Sequence, residues 1–225
     1  MEKIKTMLTL QQQLNDATNG TGWENGLTKN GKQIDWRRCI YLEAAELIES
    51  YPWKHWKNID ASPDYENIKI EAVDIWHFVM SEALRIYKTE ALGSIADLAN
   101  AIVTQEGYIE IKTDTHPTAL SHYEEIGIVE DFIKSLFCGD TVEILVSKFF
   151  TVAKYSRLDL ESLYALYIGK NILNRFRQDH GYKEGSYIKQ WDGSEDNVAM
   201  QEILAKDPEI SPEVLYSRLE EIYPG

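Results

Sequence analysis

Two stretches of this sequence carry the same small pattern, and the pattern limits what the chain can fold into. Glu43-Ala44-Ala45-Glu46 lies within WRRCIYLEAAELIES, and Glu71-Ala72-Val73-Asp74 lies within NIKIEAVDIWHF. Residues three apart on an α-helix project about 60° from each other, so each acidic pair shares one helix face. Apolar residues surround both pairs: Ile40, Tyr41, Leu42, Leu47 and Ile48 around the first, Ile70, Val73, Ile75 and Trp76 around the second. A buried carboxylate without a partner is costly. Four of them on the inner faces of two helices therefore need compensation. A hard divalent cation supplies it, because Mg²⁺ takes oxygen ligands and bridges carboxylates to phosphates. One such pair alone is ordinarily a solvated helix face. Two copies with apolar flanks make a metal site the sharper reading.

Composition narrows the partners. Acids outnumber bases 37 to 23, for a net charge of −14, which argues against nucleic-acid binding because that needs a basic surface. With 44% apolar residues over 225 positions, a sizeable core is expected. Cys39 and Cys138 fit no metal or redox spacing and read as reduced, buried core thiols of a cytoplasmic protein. The N-terminal MEKIKTMLTL lacks an apolar signal region, and no apolar run is long enough to span a membrane.

Read in order, the chain is helical throughout. Residues 2–18 form an amphipathic helix with Ile4, Met7, Leu8, Leu14 and Thr18 on one side, and with Gln11, Gln12, Gln13 and Asn15 in its polar part. Side-chain amides both donate and accept, so they suit a nucleobase edge, although an ordinary solvated glutamine run is the simpler account. The glycine-rich 19–35 is a loop, and Asp35 caps the helix that carries Glu43 and Glu46 and stops near Ser50, before Pro52. YPWKHWKN, residues 51–58, is an aromatic and basic turn. Trp53 or Trp56 could wall a flat base there, and Lys54 or Lys57 could reach a phosphate. Ser62-Pro63-Asp64 opens a helix that runs through Glu71, Asp74 and His77 to about residue 90.

Helical periods continue over 91–102, 119–138, 141–157 and 159–178. Residues 104–118 read as a connector broken at His116-Pro117, and Gly139 reads as a helix stop. Residues 88–140 hold no site motif and read as helical scaffold, or as a mobile or interface-forming subdomain within one domain spanning 1–225. Lys170, Asn174 and Arg177 share a narrow helical arc. Between Gly169 and Gln190, Lys170, Arg175, Arg177, Lys183 and Lys189 face only Asp179 and Glu184, a local +3 in an acidic chain. Such a cluster suits polyphosphate. The acidic tail from 195 reads as two short helices. No strand pattern is convincing, so the expected fold is an all-α multi-helix bundle.

Acidic oxygens for Mg²⁺, cations for phosphate, and amides and tryptophans for a base together suit a nucleoside di- or triphosphate. No P-loop and no kinase motif set is present. The simplest remaining reaction is attack of water on a phosphoryl group, with a carboxylate as general base.

At these residues the sequence resembles the dimeric all-α dUTPases, bacterial type, within the MazG-like all-α NTP pyrophosphatases. The resemblance is carried by LQQQLND, WENG, WRRCIYLEAAELIESYPWKHWKN, EAVDIWHF and YIGKNILNRFRQDHGYKEGSYIKQWDGSEDN. It implies hydrolysis of dUTP, and of dUDP, to dUMP by a cytoplasmic homodimer, limiting uracil incorporation into DNA. It implies Mg²⁺ on Glu43, Glu46, Glu71 and Asp74, with Glu46, or its partner Glu43, serving the attacking water. It also implies nucleoside recognition by Gln12, Asn15, His77 and Asn174 with Trp53 or Trp56, and phosphate contacts from Lys170, Arg177, Tyr182, Lys183, Lys189 and Lys57. The rival reading is a broader-specificity house-cleaning NTP pyrophosphatase.

Overall fold

The computed structural model describes residues 1–57, 61–113, 119–207 and 210–225. Ten α-helices and one short antiparallel hairpin are present among these residues, 69% of the described residues are helical, and the all-α expectation holds. The chain divides into two compact units, Met1–Leu163 and Tyr164–Gly225.

In the first unit, α1 (Glu2–Asn19) buries Ile4, Met7 and Leu8, and the same stripe continues onto Gln11 and Asn15. The glutamine run is therefore not one solvated face. Gln11 takes a core position, while Leu14, expected inward, is only half-buried. A turn at Trp23–Asn25 sets the fully buried Trp23 edge-on to Trp36, with ring centroids 5.6 Å apart. Asp35 accepts the Arg38 amide at 3.0 Å and starts α2 (Trp36–Glu49). The next helix, α3 (Tyr65–Thr89), is capped by Asp64, whose carboxylate accepts the Asn67 amide at 3.1 Å. Ile68, Ile70, Val73, Ile75, Trp76, Val79, Met80 and Ala83 are all buried, so α3 is apolar over most of its circumference. That is the signature of a helix enclosed by neighbours. Along α3 lies α2, and α7 (Val142–Tyr155) also packs on it, stacking Phe149 on Trp76 at 4.7 Å and 13°.

Residues 88–140 belong to this same unit. Behind the capping box Ser94/Asp97, α4 (Ile95–Val103) packs on α1; behind Ser121/Glu124, α6 (His122–Phe137) packs on α2 and α7. The stretch expected to be a connector holds a helix, α5 (Glu106–Thr113). Its docking on α7 supplies what the local pattern lacks: the Gly107 amide donates to Ser147 Oγ at 3.0 Å, and a Cβ there would collide with the Ser147 carbonyl. The expected break at His116-Pro117 lies outside the described residues. Gly139, at φ 76°, ends α6 as expected. Cys39 is half-buried and Cys138, at the end of α6, is exposed, so the expected pair of buried thiols is not found.

The second unit holds most of α8 (Leu160–Asp179), the hairpin of β1 (Gln190–Trp191) and β2 (Ser194–Glu195), α9 (Asp196–Lys206) and α10 (Pro212–Ile222). Asp192 and Gly193, at φ 49° and 86°, turn the hairpin, whose two-residue strands are too short to leave a pattern in sequence. Ser211 caps α10 with Pro212 in its first turn. The fully buried Phe176 is ringed by His180, Tyr187, Trp191, Tyr216 and Tyr223.

Candidate active site

Helices α2 and α3 bring the two acidic motifs together. Ligand oxygens of Glu43, Glu46 and Glu71 all lie within 4.8 Å of one another. Asp74, half-buried one turn beyond Glu71, falls outside that group. Only Glu71 is nearly buried, at 9% exposure, and Glu46 is exposed. Desolvation therefore bears on Glu71 alone, and the expected four inward carboxylates are not found. What distinguishes the site is convergence: three like charges repel at this spacing, and a divalent cation among them removes the repulsion. Asn67, one turn before Glu71, fixes its orientation, donating to Glu71 Oε1 at 3.2 Å and to Ser50 Oγ at 2.8 Å. The thiol of Cys39, one turn before Glu43, is held above the usual thiol range by burial and then by the negative charges of Glu43 and Asp35.

Further along α3, α1 and α3 share a buried polar network. Gln11 Nε2 donates to Asn15 Oδ1 and to Ser81 Oγ, both at 3.1 Å, and Asn15 Nδ2 donates to Ser81 Oγ at 3.0 Å. His77 Nδ1 lies 2.7 Å from Gln11 Oε1, and the Ser81 hydroxyl donates to the His77 carbonyl at 2.8 Å. Asn15 and His77 are thus brought together. Gln12 is not among them: its amide donates instead to Asp16 and Glu24, each at 3.1 Å. Sequence reasoning missed Gln11 and Ser81. The available signals were the spacing of four from Gln11 to Asn15 and from His77 to Ser81, and the way Gln11 continues the apolar stripe of α1.

In the turn after α2, Trp53 and Trp56 pack edge to face at 5.6 Å, with Trp56 64% exposed and Trp53 half-buried. Lys54 pairs with Glu49 and lies over the Trp53 ring at 5.5 Å. Lys57 is exposed. Tyr51 and Tyr65 bracket this turn, and the buried Glu125 of α6 accepts from Tyr65 at 3.0 Å. Burial, followed by the negative charge of Glu125, pushes the Tyr51 hydroxyl far above its ordinary value.

Most cations of the basic block are turned onto acceptors within the second unit. Arg177 donates to Asp196 through Nε at 2.7 Å and Nη2 at 2.8 Å, and through Nη1 to Asn174 at 3.1 Å. Lys170 donates to Asn197 at 2.7 Å, and Tyr187 donates to Asp196 at 2.8 Å. Lys189 pairs with Glu195 at 3.1 Å, while Tyr182 and Lys183 are exposed. The local +3 between Gly169 and Gln190 is offset just beyond its end, where Glu195 and Asp196 answer Lys189 and Arg177.

A family model described as dUTPase matches residues 3–182. The chain belongs to the all-α dUTPase family. No curated protein matches it. Like the family, it is a nucleotide hydrolase, with the activity of a dUTP diphosphatase, and the family is generally metal-dependent. The dUTPase match contains the carboxylate cluster, the Gln11–Asn15–His77–Ser81 network, the Trp53–Trp56 turn, Lys170, Asn174, Arg177 and Tyr182; Lys183 and Lys189 lie beyond it. Among the described residues, no helix is long and apolar enough to cross a membrane.

Proposed function

We propose that this dUTP diphosphatase holds Mg²⁺ on Glu43, Glu46 and Glu71, with Asp74 completing the set, and that Glu46 takes the proton from the attacking water. One observation carries the reading: three carboxylates from two helices converge within 4.8 Å. A donor set of carboxylate oxygens suits Mg²⁺ better than a metal that favours thiolate or imidazole. The ion, when bound, supplies electrostatic stabilisation of the phosphoryl oxygens. Glu46 is the exposed member, so water has access to it, while Glu71 is nearly buried and held by Asn67. A new bond forms between the water oxygen and phosphorus as the bond to the leaving phosphate oxygen breaks. The water proton passes to Glu46, which returns it to solvent.

Nucleoside recognition falls to Asn15 and His77, with Gln11 hydrogen-bonded to both and Gln12 as a flanking amide, and the family resemblance adds Asn174 of the second unit. Trp56, the exposed indole of the turn, walls the base, and Trp53 supports it. Tyr182, Lys183, Lys189 and Lys57 are the solvent-facing groups suited to phosphate, while Lys170 and Arg177 also hold Asp196 and Asn197. These roles rest on the family resemblance, and the choice of Trp56 and of the solvent-facing phosphate groups rests also on their exposure. The same resemblance supports dUDP as a second substrate and a cytoplasmic homodimer, which sedimentation tests directly.

The test is a panel of dUTP, dUDP, dTTP, dCTP and UTP, each assayed with Mg²⁺ and with excess chelator. Pyrophosphate should come from dUTP, with Mg²⁺, far faster than from the other triphosphates, and dUDP should yield phosphate. Equal turnover of all four triphosphates would replace this reading with a broad pyrophosphatase. Undiminished turnover in chelator would remove the metal from it.

A further inference from the structure

We infer that Ser81 is a positioning residue that fixes His77 as a hydrogen-bond acceptor toward the nucleoside. The inference rests on the reading that Asn15 and His77 face the substrate. It follows from the direction of the buried hydrogen bonds. The Ser81 hydroxyl has one proton, and that proton is given to the His77 carbonyl, 2.8 Å away. Ser81 Oγ can then only accept. Both neighbouring amides must present nitrogen to it, as Asn15 Nδ2 does at 3.0 Å and Gln11 Nε2 at 3.1 Å. Asn15 Oδ1 is consequently turned to Gln11 Nε2, also at 3.1 Å. Turning either amide over would set oxygen against oxygen. Gln11 Oε1 is thus the atom 2.7 Å from His77 Nδ1, and the ring must donate there. A neutral imidazole that donates through Nδ1 has Nε2 as its acceptor.

The network is buried, with Ser81 fully enclosed, His77 3% exposed and Gln11 2% exposed, so water cannot readily substitute for a lost member. A chain of amides polarised from one hydroxyl sets the chemistry of a histidine on the other side of it. The complementary substrate group is an N–H or O–H donor. On a deoxyuridine nucleotide that donor is either the imide N–H of the base or the 3′-hydroxyl of the sugar, and a cytosine base offers no imide N–H.

The test has two parts. In the wild-type enzyme, long-range proton–nitrogen NMR should find His77 protonated at Nδ1; protonation at Nε2 alone overturns the assignment. For Ser81→Ala, kcat/KM is compared for dUTP against dCTP, which lacks the imide N–H, and against 2′,3′-dideoxyuridine triphosphate, which lacks the 3′-hydroxyl. One of the two preferences should fall about tenfold, mainly through KM, and the one that falls names the donor. Ser81→Cys, which keeps a weak donor and acceptor, should lie between and serves if the alanine variant does not fold. Unchanged preferences in both variants would sink the proposal. Asn15→Ala separates the two ideas: if it alone moves a preference, only the Ser81 role fails, and if it moves none, the substrate-facing reading fails with it.

Discussion

Glu71 and Glu82 stand on the same helix, α3, and both are nearly buried, at 9% and 2% exposure, yet they are answered in opposite ways. Glu82 accepts from Arg37 Nε at 3.0 Å and from Arg85 Nε and Nη2 at 2.7 and 2.9 Å. Arg37 also donates to the Leu136 carbonyl at 2.9 Å, so this triad ties α2 and α3 to the end of α6. Glu71 instead converges with two further acids, Glu43 and Glu46. A buried carboxylate can be compensated by cations of the same chain or by a cation from solution. Glu82 is compensated by the chain and is structural. Glu71 lies where like charges converge, an arrangement that costs stability unless function needs it. On this comparison, stability and activity should separate cleanly between the two sites.

The largest effect is expected at the cluster. Glu46→Gln keeps the shape and removes the base, so kcat should fall by roughly 10²–10⁴-fold. Thermal stability should hold or rise, because one of three converging charges is gone. A large loss of stability in this variant would break the comparison, since Glu46 would then be a structural acid like Glu82. Glu82→Ala should do the reverse. It leaves two guanidinium groups without their carboxylate, and breaking a buried pair is strongly destabilising. Arg37 and Arg85 are 35% and 32% exposed and can rehydrate, which keeps the expected loss near the low end, about 3 kcal/mol in urea titrations. Turnover per folded molecule should stay close to wild type. If turnover collapses while stability is kept, Glu82 belongs to the chemistry instead.

What the sequence revealed follows the same division between local and distant partners. The helices bearing Glu43, Glu46, Glu71 and Asp74 were legible because their signals are local: Asp35 caps α2 three residues before the amide it accepts, and the acidic pairs sit at helical spacing. The exposure of Glu46 was not legible, because apolar neighbours in sequence do not say which face meets α3. Nor was the identity of the buried amide. Gln11 and Gln12 are equivalent in the run, and Ser81, which selects Gln11, is 70 positions away. Helix α5 was missed because its docking on α7 depends on Ser147, 40 positions on from Gly107. The basic block was over-read because Arg177 finds Asp196 nineteen positions later, across a hairpin whose two-residue strands show no alternation.

The second unit repeats the Glu82 arrangement at Asp196, and there the comparison can be sharpened with pH. Asp196 is fully buried. Burial pushes its carboxyl upward, but the hydrogen bonds and charge of Arg177, with the Tyr187 hydroxyl and the charge of Lys170, outweigh it and hold the carboxyl below the usual carboxylate range. The same carboxylate, after burial itself, holds the Tyr187 hydroxyl well above its ordinary value. Because the folded-state value is depressed, the stabilisation is fully present above the unfolded value, near pH 4, and is lost as pH falls through the folded value below it. Asp196→Asn keeps one acceptor but sets an amide N–H₂ against guanidinium donors, so it should cost roughly 2 kcal/mol at neutral pH. That difference should shrink as pH drops below about 4, since the wild-type carboxyl is itself being protonated there. A gap between the two proteins that stays constant from pH 7 to pH 2 would mean the asparagine acts by misfit alone. The charge of Asp196 would then contribute nothing to stability, and its likeness to Glu82 would fail.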